Sequence, residues 1–116
     1  MIMKKTLLFY IASYLLVFCC NAEILRYEIK IKDHKFIPNI LEVPSNSVIK
    51  LKIINLDPTI EEFESFDLKR EKIVVGNGGQ IIVTIGPLKP GIYSFFGEFN
   101  PKTAQGKLIV KEAKNA

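Results

Sequence analysis

The sequence predicts an all-β fold, a Greek-key antiparallel β-sandwich of about seven or eight strands, preceded by a helical signal peptide. Three observations lead to this prediction. Apolar and polar residues alternate with the period of two that marks half-buried strands. Turn-forming residues separate these runs at intervals of roughly ten residues. Helical periodicity is almost absent after residue 22.

The clearest strand is ILRYEIKIK at residues 24–32, because Tyr27, Ile29 and Ile31 share one face opposite charged side chains. The same alternation recurs at 47–55, 80–85 and 106–111. The turn signals between the strands are PSNS at 44–47, DP at 57–58, GNGG at 76–79 and KPG at 89–91. GNGG between two strands predicts a hairpin turn. The chain has no linker or repeat, so these strands are expected to form one domain.

The N-terminus has the pattern of a secretory signal peptide. A basic segment ending at Lys5 precedes an apolar run, Thr6 to Cys20, that is short for a membrane span. Cleavage after Ala22 fits a small-residue site. We therefore expect a signal peptide at 1–22, a mature periplasmic domain at 23–116 and no stable membrane span after cleavage. An uncleaved anchor is the alternative, and a lipoprotein is disfavoured because Cys19 follows the bulky Phe18.

The mature domain contains neither cysteine of the chain, so it has no thiol, disulfide or cysteine-based metal site. Loss of Lys4 and Lys5 with the signal peptide leaves 14 basic and 12 acidic residues, a net charge of +2. The sequence pI of 9.1 therefore overstates the basicity of the mature protein. This balance gives no electrostatic argument for a nucleic-acid partner.

Catalytic side chains are scarce in the mature domain. Its one histidine, His34, lies between two strand-like runs, where a solvated turn residue is expected. A Cys–His pair is impossible, and a Ser–His–Asp triad would have to use His34. No glycine-rich phosphate loop follows a strand and opens a helix. These features favour a binding protein over an enzyme.

The segment LKPGIY at residues 88–93 carries a topological signal. A tyrosine just after a Pro-Gly turn, here Tyr93, is placed to hydrogen-bond to the backbone a few residues upstream. This arrangement is the tyrosine corner of Greek-key sandwiches. The alternative is a tyrosine that only packs in the core.

Acidic residues are concentrated in one part of the chain. The stretch EEFESFDLKRE at 61–71 holds five of the twelve acids: Glu61, Glu62, Glu64, Asp67 and Glu71. Glu98 follows in a later loop. Carboxylate oxygens are hard donors that suit ions such as Fe³⁺, Mn²⁺ or Ca²⁺. The alternative is a solvated acidic edge balanced by the neighbouring basic side chains.

Three segments in order, HKFIPNILEVPSNS, KIINLDPTIEEFES and PLKPGIYSFFGEFNPKTAQGKLIV, resemble the cupredoxin family, and most closely its EfeO-type cupredoxin-like branch. The resemblance covers nearly all of residues 25–111. It implies a cupredoxin-like sandwich and a first copper-ligand position at Glu62, ahead of a phenylalanine. The remaining ligand positions are implied at Gly97, Asn100 and Ala104.

None of these four residues is a cysteine, histidine or methionine. A type 1 copper centre, which requires a thiolate and two imidazoles, is therefore excluded by the residues present. Without these ligands, the resemblance still implies an iron or copper ion bound by oxygen ligands. We predict Glu62 and Glu98 as its first ligands, with Glu64 and Asp67 in support.

The resemblance implies a periplasmic metal-binding protein that assists iron or copper uptake. Its expected partners are an inner-membrane iron permease and other periplasmic metal-uptake proteins. The alternative is a metal-free docking module that uses Phe96 and Phe99 as exposed aromatic contacts for a protein partner. A ferroxidase role is implied by family resemblance alone.

Overall fold

The computed structural model describes residues 23–113, and these form nine β-strands with no helix among them. The strands are β1 Ile24–Lys32, β2 Lys35–Ile37, β3 Ile40–Pro44, β4 Val48–Asn55, β5 Glu61–Ser65, β6 Arg70–Val74, β7 Gly79–Ile85, β8 Gly91–Gly97 and β9 Gln105–Lys111. The predicted all-β sandwich is confirmed, with nine strands in place of seven or eight. The predicted signal peptide lies outside the described residues. Within residues 23–113 no helix is long and apolar enough to cross a membrane.

The strands form two sheets, with orders β2-β1-β4-β7 and β3-β9-β8-β5-β6. Both sheets are mixed, because β1 pairs with β4 and β3 pairs with β9 in parallel. The prediction of a wholly antiparallel sandwich is corrected on this point. The chain changes sheets between β2 and β3 and again between β3 and β4. Strands that meet after such a crossover are free to run in the same direction.

The core lies between the sheets and follows the predicted alternation. Ile29 and Ile31 of β1 and Leu51 and Ile53 of β4 are each almost fully buried. Full burial of an aliphatic side chain of this size stabilises a fold by about 1.5–3 kcal/mol. Every buried core residue lies between residues 29 and 110. Residues 23–116 therefore carry the whole described core and are expected to fold without the segment before them.

Three buried phenylalanines join the two sheets at the centre of the core. Phe36 packs edge-on against Phe95 with ring centroids 5.0 Å apart, and Phe63 lies 5.3 Å from Phe95. Gly106 on β9 makes room for this cluster, since a Cβ there would stand 2.2 Å from Phe95 Cζ. A glycine at this position of the last strand is thus required by packing.

The predicted tyrosine corner is confirmed. The Tyr93 hydroxyl donates a hydrogen bond to the Lys89 carbonyl oxygen at 2.7 Å. This contact fixes the turn that leads into β8. It also sets the start of the strand that ends beneath the candidate site.

The GNGG segment forms a turn, but the prediction of a hairpin is wrong. It joins β6 to β7, which belong to different sheets. The Asn77 N–H donates to the Asp57 carbonyl oxygen, and the Gly78 N–H donates to the Asn55 carbonyl oxygen, both at 2.7 Å. The turn is therefore tied to the loop after β4 rather than to a strand ladder.

Side chains of β6 reach from one sheet to the other. The Arg70 guanidinium donates to the Thr84 carbonyl oxygen at 3.1 Å, and the Lys72 ammonium donates to the Ile82 carbonyl oxygen at 3.3 Å. Both acceptors lie on β7, the edge strand of the first sheet. Side-chain hydrogen bonds therefore connect the two sheets along this side of the sandwich.

Candidate functional site

The loop between β4 and β5 organises one end of the sandwich. Asn55 is fully buried, and its side-chain amide donates to the Thr59 and Val74 carbonyl oxygens at 2.8 and 3.1 Å. The Asp57 carboxylate accepts the backbone N–H groups of Asp33 and His34 at 2.7 and 2.9 Å. The Asn-Leu-Asp segment thus holds neighbouring loops together through side-chain to backbone bonds.

His34 lies in the turn between β1 and β2, as expected for a solvated histidine. Its backbone has a φ of +58°, and the side chain is exposed. The ring nitrogen Nε2 is 3.4 Å from Thr59 Oγ1. Asp57 binds the backbone N–H of His34, and among the described residues no acidic side chain hydrogen-bonds to its imidazole ring to orient it for catalysis.

The side chain of Glu61 enters the interior at the start of β5. The strand alternates, so that Glu61, Phe63 and Ser65 are buried while Glu62 and Glu64 are half-buried on the outer face. Glu61 is only 2% exposed. The position facing the β8–β9 loop is therefore taken by Glu61, and the assignment of that position to Glu62 is corrected by one residue. This role of Glu61 was not predicted, although its position two residues before the buried Phe63 places it on the same inward face of the strand.

Both oxygens of the Glu61 carboxylate accept hydrogen bonds from nearby donors. Oε1 accepts the N–H groups of Glu62 at 3.0 Å and Phe99 at 2.9 Å, and Oε2 accepts the Asn100 side-chain amide at 2.8 Å. No buried side-chain polar atom of the described residues lacks a partner. The buried charge is thus compensated by donors from β5 and from the loop after β8.

Gly97 and Ala104 close the space around that carboxylate. A Cβ at Gly97 would stand 2.6 Å from Glu61 Cδ and 2.7 Å from the Ala104 Cβ. The Gly97 N–H donates to the Ala104 carbonyl oxygen at 2.9 Å, and Ala104 is fully buried. The end of the sandwich is therefore filled by Glu61 and small residues.

These residues do not fit a type 1 copper ion. Glu61, Gly97, Asn100 and Ala104 supply no thiolate, imidazole or thioether, which are the donors of such a centre. Both oxygens of the one carboxylate already accept hydrogen bonds. The volume beside it has no room even for a Cβ on Gly97.

A second group of carboxylates lies on the outer face of the same sheet. Glu62, Glu64 and Glu71 each offer an oxygen, and these oxygens all lie within 4.8 Å of one another. The strand register explains this, because Glu64 is paired with Glu71 and Glu62 is two residues away on the same face. We call Glu62, Glu64 and Glu71 the carboxylate cluster.

The carboxylate cluster perturbs the ionisation of its members. The pKa of Glu64 is raised to about 7, first by loss of hydration, then by a hydrogen bond with Glu98 and by the charges of Glu98, Glu71 and Glu62. The pKa of Glu62 is also raised, first by loss of hydration and then by the charge of Glu71. Like charges held this close favour a shared proton or a bound cation.

Of the four predicted metal-binding residues, the structure brings three together. Glu62 and Glu64 belong to the carboxylate cluster, and Glu98 is next to it, with its N–H donating to the Glu62 carbonyl oxygen at 2.9 Å. Asp67 is not part of the cluster, and its Oδ2 accepts a hydrogen bond from the Ser94 N–H at 2.8 Å. Glu71 takes the place in the cluster that was assigned to Asp67.

Two facing mixed β-sheets, with the β4–β5 and β8–β9 loops at one end, define the class of this protein as a cupredoxin-type sandwich. The chain belongs to the cupredoxin-like domain family, whose model matches residues 6–110. It is 55% identical over 92 residues to an uncharacterized protein of Rickettsia prowazekii (strain Madrid E), covering 79% of this chain and 73% of that one.

Solved copper proteins have the same fold. Auracyanin A, a blue copper protein from Chloroflexus aurantiacus, is similar with a TM-score of 0.65 and 15% identity, over 76% of this chain and 99% of that one. The metal-binding domain of the Cu(I)-exporting ATPase CopA from Streptococcus pneumoniae D39 gives 0.66 and 12%, over 80% and 100%. At these identities the likeness establishes the fold alone.

Proposed function

We propose that this chain is a periplasmic metal-binding protein of the EfeO-type cupredoxin-like branch that assists iron or copper uptake. The observation that carries the proposal is the carboxylate cluster, three carboxylate oxygens within 4.8 Å of one another on an open face. The metal is held outside the sandwich, because the inner position is filled by Glu61. No type 1 copper chemistry is part of this function.

The electrostatics of the cluster support a cation. Loss of hydration raises the pKa of Glu64 to about 7, with further contributions from the hydrogen bond to Glu98 and from the neighbouring carboxylate charges. An array of fully ionised carboxylates is therefore unfavourable there at neutral pH. A hard cation bound there would relieve the repulsion and find the oxygen donors that it prefers. Glu98, next to the cluster, is placed to supply a further oxygen.

The relatives are consistent with a metal role. Solved structures with the same fold include a blue copper protein and a Cu(I)-bound domain of a copper exporter. The motif order that resembles the EfeO-type branch suggests iron uptake beside an inner-membrane iron permease and other periplasmic metal-uptake proteins. In this setting the chain would receive an ion on an exposed site and release it to a partner.

Calorimetric titration of residues 23–116 with Fe³⁺ citrate, Cu²⁺ and Mn²⁺ tests the proposal. One ion per chain is expected, with affinity reduced at least tenfold in Glu64→Gln/Glu71→Gln. A matched control is Glu42→Gln, an exposed carboxylate on β3 that pairs with Lys111 at 3.1 Å. Equal affinity in the double variant and the unmodified domain would reject the cluster as the site.

A second candidate function, a docking module without metal, is favoured by one observation. Phe66 is 74% exposed and packs against Phe96 with ring centroids 5.4 Å apart and ring planes tilted by 53°. Phe99 is exposed as predicted, whereas Phe96, predicted to be exposed, is half-buried. Exposed aromatic pairs of this kind are common anchors of protein interfaces. Absence of binding heat with all three metals, together with site-specific cross-linking from position 66 to a periplasmic or membrane protein, would favour this function.

A further inference from the structure

The outer surface of the β2-β1-β4-β7 sheet is strongly basic. We call it the basic face. Six cations point outward from it and one acid, Glu28, lies among them. The cations are Arg26, Lys30, Lys32, Lys35, Lys50 and Lys52.

The strand register arranges these charges as an open array. Arg26 is paired with Lys50 across the parallel β1–β4 ladder, and Lys52 is paired with Ile82 across the β4–β7 ladder. Neighbouring strands lie about 4.8 Å apart, and outward residues on one strand about 6.6 Å apart. The cations are therefore spread over three strands, and Arg26, Lys50 and Lys52 also border a shallow open depression together with Glu28 and Ile82.

These cations are not consumed by ion pairs with the described carboxylates. The ion pair that the described residues form is between Lys111 and Glu42, on the other sheet. The opposite outer face carries the carboxylate cluster. Charge is thus separated across the sandwich, with one positive face and one negative face, although the net charge of the mature chain is small.

We propose that the basic face binds the surface of an anionic phospholipid bilayer. A broad array of cations suits a flat anionic surface, and each lysine near such a surface adds attraction. Ile82, 54% exposed beside Lys52, offers an apolar contact at the headgroup boundary. The signal peptide expected at 1–22 would direct the chain to a membrane for export, which would bring the domain near a bilayer.

Other polyanions fit this face less well. Single-stranded nucleic acid is held by aromatic rings that stack on bases, and the outward residues of β1, β2, β4 and β7 include no aromatic side chain. An acidic protein is attracted by the same charges, but it would also have to match the shallow depression bordered by Arg26, Lys50 and Lys52. Bound by this face, the domain would present the carboxylate cluster away from the bilayer. This inference does not depend on the cluster binding metal.

Vesicle co-sedimentation of residues 23–116 tests the proposal. The domain is expected to bind vesicles of phosphatidylcholine that contain roughly one third phosphatidylglycerol, and not to bind vesicles of pure phosphatidylcholine. Added salt should release the bound domain, because it screens the attraction between the charges. Lys50→Gln/Lys52→Gln should weaken binding roughly 25-fold, since each lysine contributes about fivefold. Glu28→Gln should strengthen it severalfold, a gain that a merely structural role would not produce.

The matched control is Lys102→Gln/Lys107→Gln, which removes the same charge from exposed positions outside the basic face. It should bind within twofold of the unmodified domain. Equal weakening in the two double variants would overturn the proposal, because net charge would then explain the binding. So would absence of binding to anionic vesicles at low salt. Binding to polyglutamate without binding to vesicles would indicate an acidic protein as the partner of the basic face, and would also overturn the bilayer proposal.

Discussion

The carboxylate of Glu61 lies against Gly97, so closely that a Cβ at Gly97 would stand 2.6 Å from Glu61 Cδ. This contact explains why a glycine and a glutamate stand at these two positions. The glycine leaves the space that the carboxylate fills, and the carboxylate holds the loop that follows the glycine. An internal hydrogen-bonded side chain therefore connects β5 to the β8–β9 loop.

Gly97→Ala is expected to destabilise the domain by about 1–3 kcal/mol, because the added methyl group overpacks a filled site. The measurement is the free energy of unfolding in urea. Ser94→Ala, on the exposed face of the same strand, is the control and should change stability by less than about 0.5 kcal/mol. A fully stable Gly97→Ala variant would contradict the close packing.

Glu61→Ala is expected to cost about 1–3 kcal/mol, because it leaves the partly buried Phe99 and Glu62 N–H groups without their acceptor. Amide hydrogen exchange should accelerate most at Phe99. Glu62→Ala is the matched control, since its side chain lies on the outer face and its loss should be nearly neutral. Equal destabilisation by the two substitutions would show that Glu61 has no special structural role.

Glu64 makes stability depend on pH in a defined direction. Its pKa is raised from 4.5 to about 7 in the folded state, so the folded protein holds a proton that the unfolded chain releases. Stability therefore falls as pH rises from about 4.5 to about 7 and then levels off. Urea unfolding between pH 4.5 and 8.5 checks this, and Glu64→Gln should flatten the profile. A profile that is equally steep in the variant would contradict the assignment to Glu64.

Tyr93→Phe is expected to lower the free energy of unfolding by about 0.5–1.5 kcal/mol, the net value of one hydrogen bond. The hydroxyl bonded to Lys89 is the part that is lost. Tyr27→Phe is the control, because that tyrosine is half-buried on β1 and lies outside the corner. Thermal melting followed by circular dichroism should separate the two variants, and identical melting temperatures would argue against the corner as a stabilising device.

Much of the fold was predictable because period-two alternation reports directly on which face is buried. Tyr93 and the strands at 24–32 and 47–55 followed from local pattern and turn chemistry. The parallel pairing of β1 with β4 did not, since it depends on where the chain changes sheets. The GNGG turn was mistaken for a hairpin for the same reason.

The candidate site was predictable in part. Glu62 and Glu64 were found from the density of acids, but Glu71 entered the cluster only through the β5–β6 register. Asp67 was close in sequence yet is bound to the Ser94 N–H. Whether a charged residue is free or committed to a backbone group depends on tertiary contacts, which composition does not report.

The two basic side chains that reach from β6 to the carbonyl oxygens of β7 have a consequence for solubility. An edge strand with free carbonyl groups is a template onto which another chain can add a strand. Arg70 and Lys72 occupy those acceptors and place charge along the edge. The seam between the sheets is thereby protected against strand addition, the first step of β-aggregation, when several copies of the chain meet at high concentration.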